Sequence, residues 1–366
     1  MLLAMMCLKR AVRLFLLSLL LCQSLLAYSA DSGNGAASAE SNSANAAPDG
    51  VWVPELTAVG VPDLQGYWTN RTRTPLERPR SLGTQRAYTE EEAQQFEARL
   101  RQNAARSEAP SDPARAAPSG GGNVGSYNTF WLDLGTNVIQ VDGEFRTSMI
   151  IDPPDGRIPY LPQEERTPTQ LARWLSEPGV GAFDGPELQT IGERCLLFFD
   201  FRTSNSGSGP PMMPMYYNNN YQIIQTANHV VILTEMIHDA RIIPLRDQHT
   251  PVPHRWNGDS IGHWDGNALV ITTRKLHPQQ SHFGSSDQLL VTERLERVSE
   301  SVIEYTFTMD DPSVYSAPWT AQMTFNALPD GEVVYEYACH EGNYSLTGIL
   351  AGARRDEVAA ELGRTQ

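Results

Sequence analysis

Basic residues, cysteines and long apolar runs are all scarce in this chain. Lysine and arginine number 28 against 43 aspartates and glutamates, a net charge of −15 over 366 residues. A surface so acidic repels phosphate backbones, which argues against nucleic acid as a partner, and it offers no basic patch to an anionic membrane. Histidine is missing from the first 228 residues; all eight lie between His229 and His340. The chain has no Gly-x-Ser-x-Gly elbow, no phosphate-binding glycine loop and no dinucleotide fingerprint. Those absences argue against the α/β-hydrolase, P-loop and Rossmann machineries.

The one long apolar run is N-terminal. Lys9, Arg10 and Arg13 precede an apolar stretch over 14–21, and Ala27-Tyr28-Ser29 follows as a small-x-small site. This order reads as a secretory signal peptide over 1–29. The run is shorter than the roughly 20 apolar residues of a spanning helix. Cys22 offers a rival reading, lipid attachment, but Leu21 stands where that signal wants a small residue. Cleavage removes three of the 28 basic side chains and none of the acidic ones, so the acidic excess grows. With no second run of spanning length, no membrane insertion is expected after cleavage, and the destination is periplasmic or secreted. Cys7 and Cys22 leave with the signal, and Cys195 and Cys339 remain. An even pair in an oxidising compartment points to one disulfide, with two buried thiols as the alternative.

Residues 30–50 are Ser, Ala, Asn and Gly with almost nothing apolar, a disordered linker. Residues 51–366 read as a single β-rich domain with a helical and loop excursion over 85–125. Thr89 with Glu92 makes a capping box for a helix over 89–107. From residue 126 the period is two. Ile303, Tyr305, Phe307 and Met309 alternate with polar residues, as do Ala321, Met323 and Phe325. Asp-Gly turns at 142–143, 155–156, 265–266 and 330–331 supply the positive φ of tight hairpins. Further strands are expected over 195–201, 220–226, 229–236, 240–245, 259–264, 267–273, 288–297 and 332–338. Short helices are expected from Thr167-Pro168, from Asp184 to Glu187, and over 355–362. No fixed-period repeat occurs, which argues against propellers and solenoids. Many short antiparallel strands hide their edges best by closing on themselves. The expected fold is mainly β, a large antiparallel β-barrel with short peripheral helices; a β-sandwich is the alternative. Gly66-Tyr67-Trp68 resembles the Gly-x-Trp at the first strand of lipocalins, which implies a lipocalin-like barrel.

Three polar segments carry the candidate chemistry. His238-Asp239-Ala240-Arg241 precedes an apolar strand, either as a cluster facing a cavity or as an exposed hairpin turn. Asn257 to Trp264 places Asp259 and His263 on one strand face and Ser260 and Trp264 on the other. Tyr335 to Tyr344 places Glu336 and His340 on one face, Tyr337 and Cys339 on the other, with Glu341 and Asn343 at a glycine-broken end. A carboxylate beside an imidazole is how a general base is set up near neutral pH. His238, His263 and His340 could together ligate a metal, but no characteristic ligand spacing is present, so no cofactor is expected. Met212, Met213 and Met215, behind a Ser/Gly/Pro loop, read as a lid or a mobile surface segment.

Taken together, the stretches 152–159, 237–241, 257–264 and 335–344 resemble a family of secreted bacterial proteins. That resemblance covers residues 60–355 and implies a single domain in which the motifs travel together; it implies no activity. The expected function is a cofactor-free acid–base enzyme, a lyase, hydratase or isomerase, acting on a small, partly apolar molecule inside the barrel. His340 and His263 would be acid and base, with Glu336, Asp259 or Asp239 orienting them. Arg241 would hold an anionic group, and His238, Trp264, Tyr337, Glu341 and Asn343 would complete the substrate site. The alternatives are a lipocalin-like binding protein and a carbohydrate-active protein using Trp256, Trp264 and Trp319.

Overall fold

The structure is a computed structural model that describes residues 52–108, 114, 132–197 and 209–363. The chain divides into Met1–Ala44 and Asn45–Gln366, and the described residues all belong to the second unit. The expected signal peptide, the linker over 30–50 and most of the loop over 109–125 lie outside the described residues.

Alternating apolar residues and positive-φ turns build a chain of strands. In order they are β1 (Gly66–Thr69), β2 (Ala87–Tyr88), β3 (Gln140–Val141), β4 (Glu144–Arg146), β5 (Ile150–Asp152), β6 (Asn220–Gln225) and β7 (His229–Thr234). Then follow β8 (Ala240–Pro244), β9 (Asp259–Asp265), β10 (Ala268–Arg274), β11 (Leu290–Ser299), β12 (Val302–Asp310) and β13 (Trp319–Ala327). The described helices are α1 (Glu90–Glu108), α2 (Gln170–Leu175) and α3 (Tyr344–Glu361). None of them is long and apolar enough to cross a membrane. Nine strands form one antiparallel sheet in the order β8-β7-β6-β1-β13-β12-β11-β10-β9, with β5 added beside β13. The sheet curls into a nearly closed barrel. β2, β4 and β3 make a separate small sheet.

The period-two pattern decides what the barrel holds. In β12, residues Ile303, Tyr305, Phe307 and Met309 are all 0% exposed and point inward, with half-exposed Glu304, Thr306 and Thr308 outward. β13 adds Trp319, Ala321, Met323 and Phe325 to the same core. Side chains therefore fill the interior. Met212 and Met213 belong to it too: they are buried in the core, not a surface lid, and the Met212 amide donates to the Tyr305 hydroxyl at 3.0 Å.

One ion pair sits inside this apolar packing. Arg241 on β8 donates to both oxygens of Glu293 on β11, at 3.0 and 2.6 Å, and the two residues are 3% and 0% exposed. Arg241 Nη2 also reaches Ser260 Oγ at 3.3 Å and Thr273 Oγ1 at 3.4 Å, and the Tyr305 hydroxyl donates to Glu293 at 2.7 Å. Burial alone would pull the guanidinium pKa down; the Glu293 carboxylate outweighs it and the net direction is up. Burial, then Glu293, raises the Tyr305 hydroxyl well above its ordinary value.

Several local expectations are corrected. Residues 332–338 are not a strand but an irregular exposed segment. The reason is topological: β13 already pairs with β12 on one side and β1 on the other, so no edge remains for a hairpin after Asp330-Gly331. Residues 195–197 are a turn rather than a strand, and 198–201 lie outside the described residues. Asp155-Gly156 is not a hairpin either: its loop clamps the segment before it. Arg78 donates to Pro154 O at 2.8 Å, and a Cβ on Gly156 would come within 2.9 Å of Arg78 Cβ. α2 starts one turn after Thr167, with Thr169 rather than Pro168 at its boundary; the Thr169 hydroxyl accepts from the Ala172 amide. The C-terminal helix begins at Tyr344, well before the expected residue 355. The expectation at Asp142-Gly143 and Asp265-Gly266 is met, with tight β3–β4 and β9–β10 hairpins. So is the capping box: Glu92 accepts from the Thr89 amide at 2.8 Å, and Thr89 from the Glu92 amide at 3.2 Å.

The buried pair gives a stability test. Arg241→Met should cost about 3–5 kcal/mol, because it strands a buried carboxylate. The double change Arg241→Met with Glu293→Leu should cost markedly less than the two single losses added. Urea unfolding of the four proteins measures this, and additive losses would count against a coupled pair.

Candidate functional site

An odd number of strands in a ring cannot all be antiparallel. Stepping through eight antiparallel pairings leaves β8 and β9 pointing the same way, so the barrel must close on a parallel seam. That seam holds one bridge, Leu245 with Gly262, in which the Arg246 amide donates to Gly262 O at 3.0 Å. The next rung of a parallel ladder would need an N–H from position 244. Pro244 has none, so the ladder stops there. Below it the strands are joined by side chains: Arg241 to Ser260, and Asn257 Nδ2 to Asp239 Oδ2 at 2.6 Å.

The loop from β8 to β9, residues 245–258, folds over this unzipped stretch and encloses a cleft of about 520 Å³. That is within the range of small-molecule sites. Arg241 and Ser260 reach it from the core side; Ile242, Arg246, Arg255 and Trp256 line it from the outer side.

Asp259, which lines the cleft, is paired with a histidine of the covering loop. His249 Nδ1 lies 2.8 Å from Asp259 Oδ2, and its Nε2 lies 3.2 Å from Thr272 Oγ1 on β10. Arg246 Nη2 stands 3.8 Å from the other Asp259 oxygen. Asp259 is only 5% exposed although it faces outward on β9, because His249 and Arg246 cover it. A carboxylate that accepts from Nδ1 fixes the tautomer and leaves Nε2 as the basic nitrogen. Trp256 is oriented by stacking on His277, with ring centroids 3.9 Å apart and planes 25° apart; Arg194 sits 5.8 Å from its ring centre. Burial, then the charges of Arg194 and His254, lowers the His277 pKa.

No family model matches the chain, and no curated protein matches it. The reading of the site therefore rests on where its residues fall.

Of the three polar segments, two meet at the seam. Asp239 bonds Asn257, and Arg241 bonds Ser260. His238 is exposed in the β7–β8 turn, with φ of 56°, and its Nδ1 lies 3.1 Å from Tyr335 O. Asp239 Oδ1 accepts from the Ala240 amide. Arg241 is not free to hold a substrate anion, since Glu293 neutralises it. His263 lies exposed on the outer face of β9, and Glu336, His340 and Glu341 are exposed in the irregular segment after β13. No hydrogen bond or ion pair joins His263, Glu336 and His340 among the described residues, and Glu336 and His340 share no strand face because 332–338 is not a strand. His238, His263 and His340 are likewise not gathered: among the described residues no group of three or more potential ligands is placed to hold a metal ion. Tyr337 is half-buried, and Asn343 Nδ2 donates to Glu193 O at 2.9 Å. The Cys195 and Cys339 sulfurs are bonded at 2.10 Å, tying that segment to the turn before the core. Trp264 packs against the core, and Trp319 is 0% exposed among Phe283, Phe307 and Tyr315, so neither is a sugar platform. Trp256 alone of the three tryptophans lines the cleft.

Arg246 and Arg255, which line the cleft, and His249 and Thr272, which join Asp259 beside it, are residues that the sequence did not single out. The available signal was density: Arg246, His249, His254 and Arg255 fall within ten residues of a loop otherwise rich in Pro and polar residues.

A fully buried histidine lies elsewhere, outside the cleft lining. His282 is 1% exposed, and burial, then the Arg241 charge, pushes its pKa down to about 3. An unfolded imidazole titrates near about 6.5. As pH drops below that value, the unfolded chain takes up a proton that the folded protein refuses. Stability is therefore lost progressively from about pH 6.5 towards pH 3. His282→Gln should lose less stability than the parent between about pH 7 and pH 4, read as the shift in urea midpoint. Equal losses would show that His282 does not contribute.

Proposed function

We propose that the protein is an exported acid–base enzyme whose site is the seam cleft rather than the barrel interior. The carrying observation is the 2.8 Å contact between His249 Nδ1 and the buried Asp259 carboxylate. Asp259 lines the cleft and holds the imidazole in one orientation, and the histidine beside it is the group able to take or give a proton. The Thr272 hydroxyl, 3.2 Å from Nε2, donates to that nitrogen and is the natural path for a proton moving to or from a bound molecule. The interior is packed with side chains, which supports moving the site outward. The arrangement suits a lyase, hydratase or isomerase acting on a small, partly apolar anion, and the chemistry calls on no cofactor. Export is supported by the basic head and apolar run at the N-terminus and by the bonded Cys195–Cys339 pair, which fits an oxidising compartment.

A non-catalytic binding protein is the second reading. It is favoured by the engagement of Nε2 with Thr272, which leaves no nitrogen of His249 without a partner.

Deuterium exchange separates the two. A panel of α-protic aromatic and aliphatic carboxylates is incubated with the protein in deuterated buffer, and loss of the α-proton is followed by NMR. The expected result is exchange that falls by about 10²–10⁴ in His249→Ala and in Asp259→Asn. Binding of panel members with no exchange replaces the enzyme with the binding protein. Exchange that survives both substitutions would falsify the role given to this pair.

A further inference from the structure

Three residues that line the seam cleft each keep a buried polar atom with no hydrogen-bond partner among the described residues: Arg241 Nε, Arg246 Nε and Asn257 Oδ1. Buried polar groups are normally paired, and leaving one unpaired costs about 1–3 kcal/mol. All three atoms are sealed beneath the cleft surface, so a ligand reaches them only where the side chain can turn outward, which the half-buried Arg246 and Asn257 can do and the fully buried Arg241, held by Glu293, cannot. The Arg246 nitrogen is a donor and calls for an oxygen acceptor. The Asn257 oxygen is an acceptor and calls for an O–H or N–H, since its own amide nitrogen is spent on Asp239.

The charge census narrows the class further. Arg241 is balanced by Glu293, and Arg246 by Asp259. Arg255 lines the cleft, is exposed and makes no side-chain hydrogen bond or ion pair among the described residues. The cleft thus carries an excess of one positive charge in a chain of net charge −15. A monoanion matches it, and a second carboxylate would meet Asp259. The lining also carries apolar groups beside the polar Thr250 and Ser260: Ile242 is 64% exposed, and Pro244, Val252 and the Trp256 ring line the same cleft.

We infer that the ligand is a small monocarboxylic acid bearing a hydroxyl or amino donor and an aromatic or branched apolar tail. Its carboxylate meets the guanidinium groups of Arg246 and Arg255. Its donor meets Asn257 Oδ1, and its tail lies on Trp256 and Ile242. This inference rests on reading the cleft as the site and adds the substrate class to it.

Calorimetric titration of the full mature protein tests it with three probes that share a phenyl tail. 3-Phenyllactate carries both the carboxylate and the donor, hydrocinnamate lacks the hydroxyl, and 3-phenyl-1,2-propanediol lacks the carboxylate. 3-Phenyllactate should bind at least about tenfold more tightly than either of the others, a difference of about 1.4 kcal/mol. Arg255→Gln should abolish the preference for the acid over the diol, and Asn257→Ser the preference for phenyllactate over hydrocinnamate. Circular dichroism of both variants confirms that they are folded. Equal affinity for the acid and the diol, or preferences unchanged in the two variants, overturns the ligand class while leaving the cleft as a site. Failure of all three probes to bind, with amide exchange over 240–260 unaltered in their presence, overturns the ligand class and the cleft together.

Discussion

A charged guanidinium inside a β-barrel is tolerable only while a carboxylate faces it, and the Arg241–Glu293 pair meets that condition from opposite parts of the sheet. Arg241 comes from β8 and Glu293 from β11, three strands apart across the seam, so the pair ties β8 to the far side of β9 and β10 rather than to an adjacent strand. Ser260 and Thr273 complete the arginine, and Tyr305 completes the glutamate. Each of those strands is thereby held to the others through one polar knot. Such a pair adds little net stability over an apolar substitute, but losing one member is severe, so it acts as a constraint on register more than as glue.

The seam follows from the same geometry. Because the ring has nine strands, its last pairing is parallel, and Pro244 removes the donor that would zip it. The polar knot holds β8 beside β9 where backbone bonds cannot. A cleft survives where most barrels would have a ladder, and the loop over 245–258 brings Arg246, Arg255 and Trp256 around it and His249 onto Asp259. The unsatisfied atoms of Arg241, Arg246 and Asn257 tie the scaffold to the site, since the arginine that organises the core also borders the cleft.

Much of this was legible as pattern. Asp239, Arg241, Asp259 and Ser260 stood out as polar groups embedded in strand sequence, and they do converge. Asp259 was expected to orient a histidine, and it does, but the histidine is His249. Spacing along one strand pointed to His263, four residues away, yet the two imidazoles are separated by what covers them: a loop folds back over Asp259, whereas His263 stays in the open. The segment with Glu336 and His340 misled for a different reason. Its alternation is strand-like, but the sheet had no vacant edge beside β13, and the disulfide to Cys195 holds it elsewhere.

The amino-acid sequence by itself determined the strand class, the two tight Asp-Gly hairpins, the capped helix over 90–108 and the pair of cysteines able to bond. Each of these depends on neighbours within a few residues: side-chain alternation, positive φ, a threonine hydroxyl reaching a nearby amide. Tertiary structure alone decided that β8 and β9 meet in parallel, that Arg241 is spent on Glu293, and that His249 rather than His263 or His340 faces a carboxylate. Period two fixes the face on which a side chain lies. It does not fix which strand lies alongside, and hydrogen bonds and ion pairs between distant residues form only once that neighbour is chosen.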